Sequence, residues 1–403
     1  MGKAVYLGVD GRARKVKKMY LGADGKARKV KKGYIGVGGV ARPFFTSEQK
    51  PVYYGKAPSL YEKVFRPAGA QTSSYALFAG GYTGGVTTDS VTEYSESLTR
   101  SSNRLGETKY RMVSVSHKGY AIFSGGYYED ADDHSGALES ADMFDPNSTR
   151  IALPTLPRTT VDGAGAGIGN YAIVMNGYGS RPYYGYAYTI PSGTLVTSLP
   201  NLTNERKHSM GASTDTYAII AGGHVMGRYS GDEVSVKTVE GYNSSLTKSV
   251  ASSGMDTATW FGTSIKFGSY ALFAGGTSNE DRNDGYTISN QATAFSGSMT
   301  RVYFPSLSYQ RMNLASSVVG DYVLFAGGKP TKYSTGEDSA TDVVEIFDKS
   351  FTKVYGVSNL PNKTSNLVGA SVGNYALFGG GEIYIPGERN LKTTDIVEAY
   401  TLV

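Results

Sequence analysis

Short runs in which apolar and polar residues alternate follow one another through most of this 403-residue chain, and no long stretch has the 3.6-residue period of a helix. The clearest run occurs seven times. Its copies are Tyr75-Ala-Leu-Phe-Ala-Gly-Gly81, Tyr120-Ala-Ile-Phe-Ser-Gly-Gly126, Tyr171-Ala-Ile-Val-Met-Asn-Gly177, Tyr217-Ala-Ile-Ile-Ala-Gly-Gly223, Tyr270-Ala-Leu-Phe-Ala-Gly-Gly276, Tyr322-Val-Leu-Phe-Ala-Gly-Gly328 and Tyr375-Ala-Leu-Phe-Gly-Gly-Gly381. The tyrosines lie 45, 51, 46, 53, 52 and 53 residues apart. A period near 50 on a strand ending in a glycine doublet marks one supersecondary unit repeated along the chain. It is too long for helical repeats and suits a four-stranded propeller blade.

Each unit predicts four strands. A small-residue run such as Arg111–Ser116 or Asn313–Val319 precedes the tyrosine strand across a short turn (117–119, 169–170, 320–321). After a variable loop come half-buried third strands, among them Ser90–Tyr94, Glu139–Phe144, Asp342–Phe347 and Asp395–Tyr400. Leu246–Val250, Met299–Tyr303 and Phe351–Tyr355 read as fourth strands. The first strands are rich in Ala, Gly and Ser because seven blades converging on one axis leave no room for bulk. The seventh copy reaches only its third strand before Val403. Residues 60–65, which read like Phe351–Tyr355, are expected to pair with 393–402 and close the ring, removing open edges.

The glycine doublet, the third-strand aromatic (Tyr94, Phe144, Tyr242, Phe347, Tyr400) and a basic residue entering several blades (Arg66, Arg111, Arg158, Arg206, Arg311, Lys363) resemble kelch repeats over residues 59–403. The resemblance implies an all-β, seven-bladed kelch-like β-propeller. The chain departs from kelch in lacking a fourth-strand tryptophan; its single tryptophan, Trp260, is expected on an inner strand.

A shorter repeat fills the front of the chain. Lys3–Val16 recurs as Lys18–Val30 and, degenerate, as Lys32–Phe44, with Tyr6, Tyr20 and Tyr34 setting a period of 14. Each unit reads as strand, two-residue turn (Asp10-Gly11, Asp24-Gly25, Gly38-Gly39) and strand, so an N-terminal array of three short β-hairpin repeats is expected. An isolated hairpin is marginal in water, so the array should stack on itself, on partner chains or on a larger assembly. The expected organisation is residues 1–45 as the basic hairpin region, 46–58 as linker and 59–403 as propeller.

Charge follows that division. Residues 1–32 hold 11 Lys/Arg against Asp10 and Asp24, a net of +9; the other 371 hold 29 basic and 33 acidic residues, a net of −4. Arg12, Arg14, Lys15, Lys17, Lys18, Arg28, Lys29, Lys31 and Lys32 are therefore the expected anchoring residues toward an acidic partner. The 14-residue units resemble a repeat of structural proteins from phages and prophages of Gram-positive bacteria. That resemblance implies a virion or tail context: docking of residues 1–45 to other virion proteins, self-association in the assembly, and synthesis in the host cytoplasm. The absence of cysteine, of an apolar signal segment and of any run of about 18 apolar residues agrees, and membrane insertion is not expected. Nucleic acid is the less favoured partner, because basic residues interleaved with Tyr and Val also suit protein docking.

Sites of known chemistry are scarce. Gly163–Gly169 fits no phosphate-binding register and falls where other blades have an inner strand. Gly254–Trp260 lacks the Ser and Gly of a sialidase Asp box. A copper radical oxidase needs a cysteine that the chain does not have. His117, His134, His208 and His224 lack metal-site spacing, and the acidic runs 129–134 and 280–284 match no calcium loop. No catalytic residue, metal or cofactor is expected. The loops between second and third strands (82–89, 127–138, 178–186, 224–233, 277–287, 329–341, 382–394) are long in every blade, whereas the first turns are short. Scaffolds place binding on the elaborated face. The candidate ligand residues are Tyr82, Tyr127, Tyr128, Tyr178, Arg181, Tyr183, Tyr184, Tyr186, Tyr229, Tyr286, Tyr333 and Tyr384, whose rings and hydroxyls suit a bacterial surface glycan or protein receptor. The expected function is receptor binding by a phage-like structural protein. A purely structural decoration protein and a polysaccharide-trimming enzyme are its rivals.

Overall fold

In the computed structural model, described residues are 49–175, 177, 184–226, 233–279, 286–331 and 336–403, together with the strand backbone of 6–9, 12–15, 19–23, 26–30, 32–37 and 40–46. The chain divides into two compact units, residues 1–50 with 402–403, and residues 51–401. In the first, Tyr6–Val9 pairs with Arg12–Lys15, Met19–Ala23 with Lys26–Val30 and Lys32–Val37 with Val40–Thr46, each antiparallel.

The larger unit is all-β and propeller-like, with seven four-stranded antiparallel sheets among the described residues. Their first strands are Ala68–Gln71, Val113–His117, Ala164–Ile168, Met210–Ser213, Thr263–Phe267, Ala315–Val319 and Val368–Val372, and each pairs with the tyrosine strand that follows it. Small residues there let neighbouring sheets touch, and polar bonds stitch them in a cycle. The bonds include Gln71 N–H to Ser116 Oγ (2.9 Å), Gly167 N–H to Ser213 Oγ (2.9 Å), Ser264 Oγ to Gly211 O (2.8 Å) and Ser317 Oγ to Ala370 O (2.9 Å). Ser371 N–H to Gln71 Oε1 (3.0 Å) joins the last sheet to the first.

The tyrosine strand is buried on both faces, which explains its unbroken apolar run. Ile122 packs toward Val174 and Tyr188 of the next sheet, while Phe123 packs toward Leu77 and Val91 of the preceding one. The doublet glycines then leave the strand: Gly80 has φ +60°, and a Cβ there would lie 2.2 Å from Lys109 O. The third-strand aromatics Tyr94, Phe144, Tyr242, Phe347 and Tyr400 are all fully buried.

Ring closure differs from the expectation. The fourth strand of the last sheet is Pro51–Lys56, beside Val397–Leu402, and not 60–65. Residues 51–56 are therefore a structural strand within the segment expected to be linker. Residues 60–65 make only point contacts with the same region, Leu60 N–H to Asp395 O (2.8 Å) and Val64 N–H to Thr394 O (3.2 Å). The likeness of 60–65 to a fourth strand misled because register is set by the whole hydrophobic pattern, and Pro51–Lys56 supplies the alternation that Tyr53 and the half-buried residues beside it need.

Candidate functional site

Two residues before each first strand the backbone turns left-handed, at Arg66, Arg111, Asp162, His208, Phe261, Asn313 and Asn366, with φ between +48° and +58°. Each lies nine residues before its repeat tyrosine, so the seven occupy one equivalent position around the unit. Backbone bonds link neighbours directly: Asp162 N–H to Arg111 O (3.0 Å), Asn313 N–H to Phe261 O (2.8 Å) and Asn366 N–H to Asn313 O (3.1 Å). Left-handed φ also occurs at Leu98, Leu246, Met299 and Phe351 in the turns before fourth strands, where it serves the turn. The φ thus belongs to the repeat geometry. What sets the first ring apart is that its side chains are charged, polar or aromatic and line the mouth of the channel between the sheets.

A second ring surrounds it. The residues after the glycine doublets are Tyr82, Tyr127, His224, Thr277, Lys329 and Glu382 among the described residues, and most bridge to the residue before a mouth position: Phe65 with Tyr82, Tyr110 with Tyr127, Lys207 with His224, Trp260 with Thr277, Met312 with Lys329. Between them lies a cavity of about 270 Å³, lined by six of the seven inner-ring residues, Arg66, Arg111, Asp162, Phe261, Asn313 and Asn366. The channel continues beneath it between first strands, with a further cavity of about 340 Å³.

Charge at the mouth is uneven. Asp162 Oδ2 accepts from Arg111 Nε (2.8 Å) and from His208 Nε2 (3.0 Å). Burial would raise the Asp162 carboxyl, but these bonds hold it well below the ordinary carboxylate range. His208 stacks on Trp260 (ring centroids 5.4 Å) and on Phe261 (4.4 Å), and His224 lies 4.5 Å from Trp260. Burial pushes the His224 imidazole down to about 4, and His208 and Lys207 add to the shift. Glu382 accepts from Asn366 Nδ2 at 3.1 Å, and burial raises its carboxyl. Arg66 hydrogen-bonds no carboxylate among the described residues: its Nε donates to Asn366 Oδ1 (3.3 Å), and its guanidinium lies 5.2 Å from the Phe65 ring and 5.4 Å from Phe261.

The expected loop residues divide sharply. Tyr82 and Tyr127 belong to the outer ring; Tyr110 lies between them, 5.4 Å and 6.2 Å away by ring centroids, and Tyr82 Oη donates to Glu129 Oε1 (3.1 Å). Tyr128, Tyr286 and Tyr384 are half-buried. Tyr184 is half-buried too and takes the Arg158 guanidinium on its ring at 5.2 Å. Tyr186 is a correction: it lies in the third strand Gly185–Thr189, buried against Val174 and Ile122, so it cannot serve a loop-face ligand. Tyr178, Arg181, Tyr183, Tyr229 and Tyr333 fall outside the described residues, as do the acidic run 280–284 and, among the anchoring residues, Lys17, Lys18 and Lys31. Arg12, Arg14, Lys15, Arg28, Lys29 and Lys32 lie on hairpin strands.

Two further expectations change. Trp260 sits before its inner strand, at the mouth, and not on it. The basic residues entering the blades occupy different positions. Arg66 and Arg111 are at the mouth, whereas Arg206 and Arg311 are buried within their sheets against Glu240 (2.8 Å) and Glu345 (2.9 Å). In the acidic turn 129–134, Asp130, Asp132 and His134 are exposed, and the Asp130 carboxylate accepts the backbone N–H groups of Asp132 and His134, both at 3.0 Å. That is a self-satisfied turn.

Such an arrangement, an all-β ring of four-stranded sheets with varied side chains around a cavity, defines a propeller-like fold. The fold is similar to that of the solved structure titled "Structure of YjhT", with a TM-score of 0.56 and 10% identity, over 74% of this chain and 98% of that one. At that identity the likeness concerns the fold alone. No family model matches the chain, and no curated protein does.

Proposed function

We propose that the chain is a non-enzymatic binding protein of a phage-like particle: a seven-bladed kelch-like propeller that presents a ligand site to the bacterial cell surface, with the basic hairpin repeats 1–45 docking it to other virion proteins. The observation that carries the binding reading is the mouth ring. One fixed position of a sevenfold repeat holds Arg, Arg, Asp, His, Phe, Asn and Asn, a set that no packing demand requires. The carboxylate of Asp162 is engaged by Arg111 and His208, which suits holding a ligand better than turning one over. The 14-residue repeats and the charge division support the particle context. Weak single sites arrayed on one particle gain by avidity.

The test is binding of the labelled full-length chain to intact Gram-positive cells and to isolated wall glycans. Saturable binding that falls when Tyr82 and Tyr127 are both changed to Ala supports the reading. Absence of binding to every strain and glycan assayed overturns it in favour of a decoration protein. A second reading, a polysaccharide-trimming enzyme, draws on Glu382, whose carboxyl is raised by burial at the mouth as a general acid requires. Release of reducing ends from wall polysaccharide, abolished in Glu382→Gln, would favour it.

A further inference from the structure

We infer that the channel mouth binds a carboxylate on a sugar-sized ligand, with Arg66 as the residue that grips it. The inference rests on the reading of the mouth as a ligand site and names the chemistry that site takes. Four other inward cations each have a carboxylate partner: Lys109 has Asp142 (2.9 Å), Arg111 has Asp162, Arg206 has Glu240 and Arg311 has Glu345. Arg66 has none among the described residues. Its Nε meets a neutral amide at 3.3 Å, and its two Nη groups make no hydrogen bond among the described residues. Burial lowers the Arg66 guanidinium, and Asp162 and Glu382 offset this only through space, without a hydrogen bond to it; a ligand carboxylate would supply the charge-assisted, two-pronged pair that neither makes.

Position says where that carboxylate would sit. Phe261 stands three ring positions from Arg66, on the far side of the mouth, yet the guanidinium lies 5.4 Å from its ring and 5.2 Å from that of Phe65. The two aromatics hold the charged plane over the channel instead of letting it swing into solvent. Lys329, whose ammonium burial lowers, with Glu382 opposing the shift and Arg66 adding to it, likewise has no ion pair among the described residues and adds positive charge. The Asn313 side chain, which lines the same cavity and makes no hydrogen bond among the described residues, is available to a ligand hydroxyl. A volume of about 270 Å³ is at the small end for ligand sites and fits one acidic sugar unit or chain terminus with Phe261 against its apolar face.

Trp260 is the only tryptophan and its ring lies 4.6 Å from Phe261, so its fluorescence reports on the mouth. The full-length chain is titrated with sodium acetate, sodium glucuronate, glucuronamide and glycerol phosphate. The expected result is a saturable change with glucuronate, a weaker one with acetate and none with the neutral amide. Arg66→Gln should weaken glucuronate by about tenfold or more, the loss of one charged hydrogen-bonding partner, with Arg66→Lys between the two. Asn313→Ala, which leaves the charge in place, should weaken glucuronate but not acetate, and serves if Arg66→Gln does not fold. Equal response to the amide, tighter binding of glycerol phosphate, silence toward both carboxylates, or an unaffected Arg66→Gln overturns the inference. Cell binding that glucuronate fails to compete, with glucuronate itself bound, would overturn the cell-surface reading and leave this one standing. Cell binding with both carboxylates silent would do the reverse.

Discussion

Arg311 and Arg66 are both arginines at the entrance to a blade, and the structure assigns them opposite roles that a stability experiment separates. Arg311 is fully buried. Its Nη2 bonds Glu345 Oε2 (2.9 Å), and its Nη1 bonds the carbonyls of Val343 (2.7 Å) and Gly327 (3.2 Å). Burial brings its guanidinium down to about 10, so it stays charged at neutral pH. Arg311→Met leaves Glu345 in the interior without its main counter-charge, which typically costs about 3–5 kcal/mol. Glu345 keeps Lys353 Nζ (2.6 Å) and Ser308 N–H (2.8 Å), which sets the expected loss at about 3 kcal/mol, the lower end of that range. Removing both charges in Arg311→Met/Glu345→Leu should recover at least half of the loss, because no unpaired buried charge remains and Lys353 can turn to water.

The assay is a double-mutant cycle on the urea midpoint, followed by fluorescence at constant m-value. A loss below about 1 kcal/mol, or an equal loss in the Glu345→Leu background, would refute the account. Arg66→Gln, whose guanidinium hydrogen-bonds no carboxylate and whose neighbour Asp162 keeps Arg111 and His208, should stay within about 1 kcal/mol of the parent in the same experiment.

Two other consequences are open to direct measurement. His224 is nearly fully buried, with its imidazole lowered to about 4 against 6.5 in the open chain. The unfolded state therefore takes up a proton that the folded state refuses as pH falls below 6.5. Stability from this group is complete above 6.5 and is lost toward 4, by up to about 2 kcal/mol between pH 6.5 and 5. His224→Phe should flatten the acid side of a melting-temperature profile, and an unchanged slope would count against it. Deleting residues 1–58 removes Pro51–Lys56 and exposes the edge of Val397–Leu402, so that variant should aggregate, whereas a deletion ending at residue 46 should unfold cooperatively. Equal behaviour of the two truncations would contradict closure by Pro51–Lys56.

How much could be read from the sequence depended on whether a feature repeats. The tyrosine strands, glycine doublets and third-strand aromatics recur at matched positions, and the sheets and their burial follow from them. A chain with seven copies of one unit is its own alignment. Columns that stay fixed, such as Tyr75 and its equivalents, describe the fold; an inward column that varies is where chemistry is placed. The column nine residues before the tyrosine, from Arg66 to Asn366, holds five residue types in seven copies and so forms no recurring motif. Its members were visible only as scattered basic residues, merged with Arg206 and Arg311 two positions earlier in the unit.

The earlier column carries its own lesson. Lys109, Arg206 and Arg311 each face an acid two residues before the third-strand aromatic, at Asp142, Glu240 and Glu345, while the matching positions of two other repeats hold Thr160 with Tyr186 and Thr259 with Thr293. Base and acid come and go together, as a buried pair must. The last sheet breaks the rule, with Thr364 where a base would be and Glu398 still buried. Burial raises the Glu398 carboxyl, and the hydroxyl of Tyr53 bonds it at 2.6 Å. Tyr53 lies on Pro51–Lys56, so the closing strand supplies the partner that this sheet lacks.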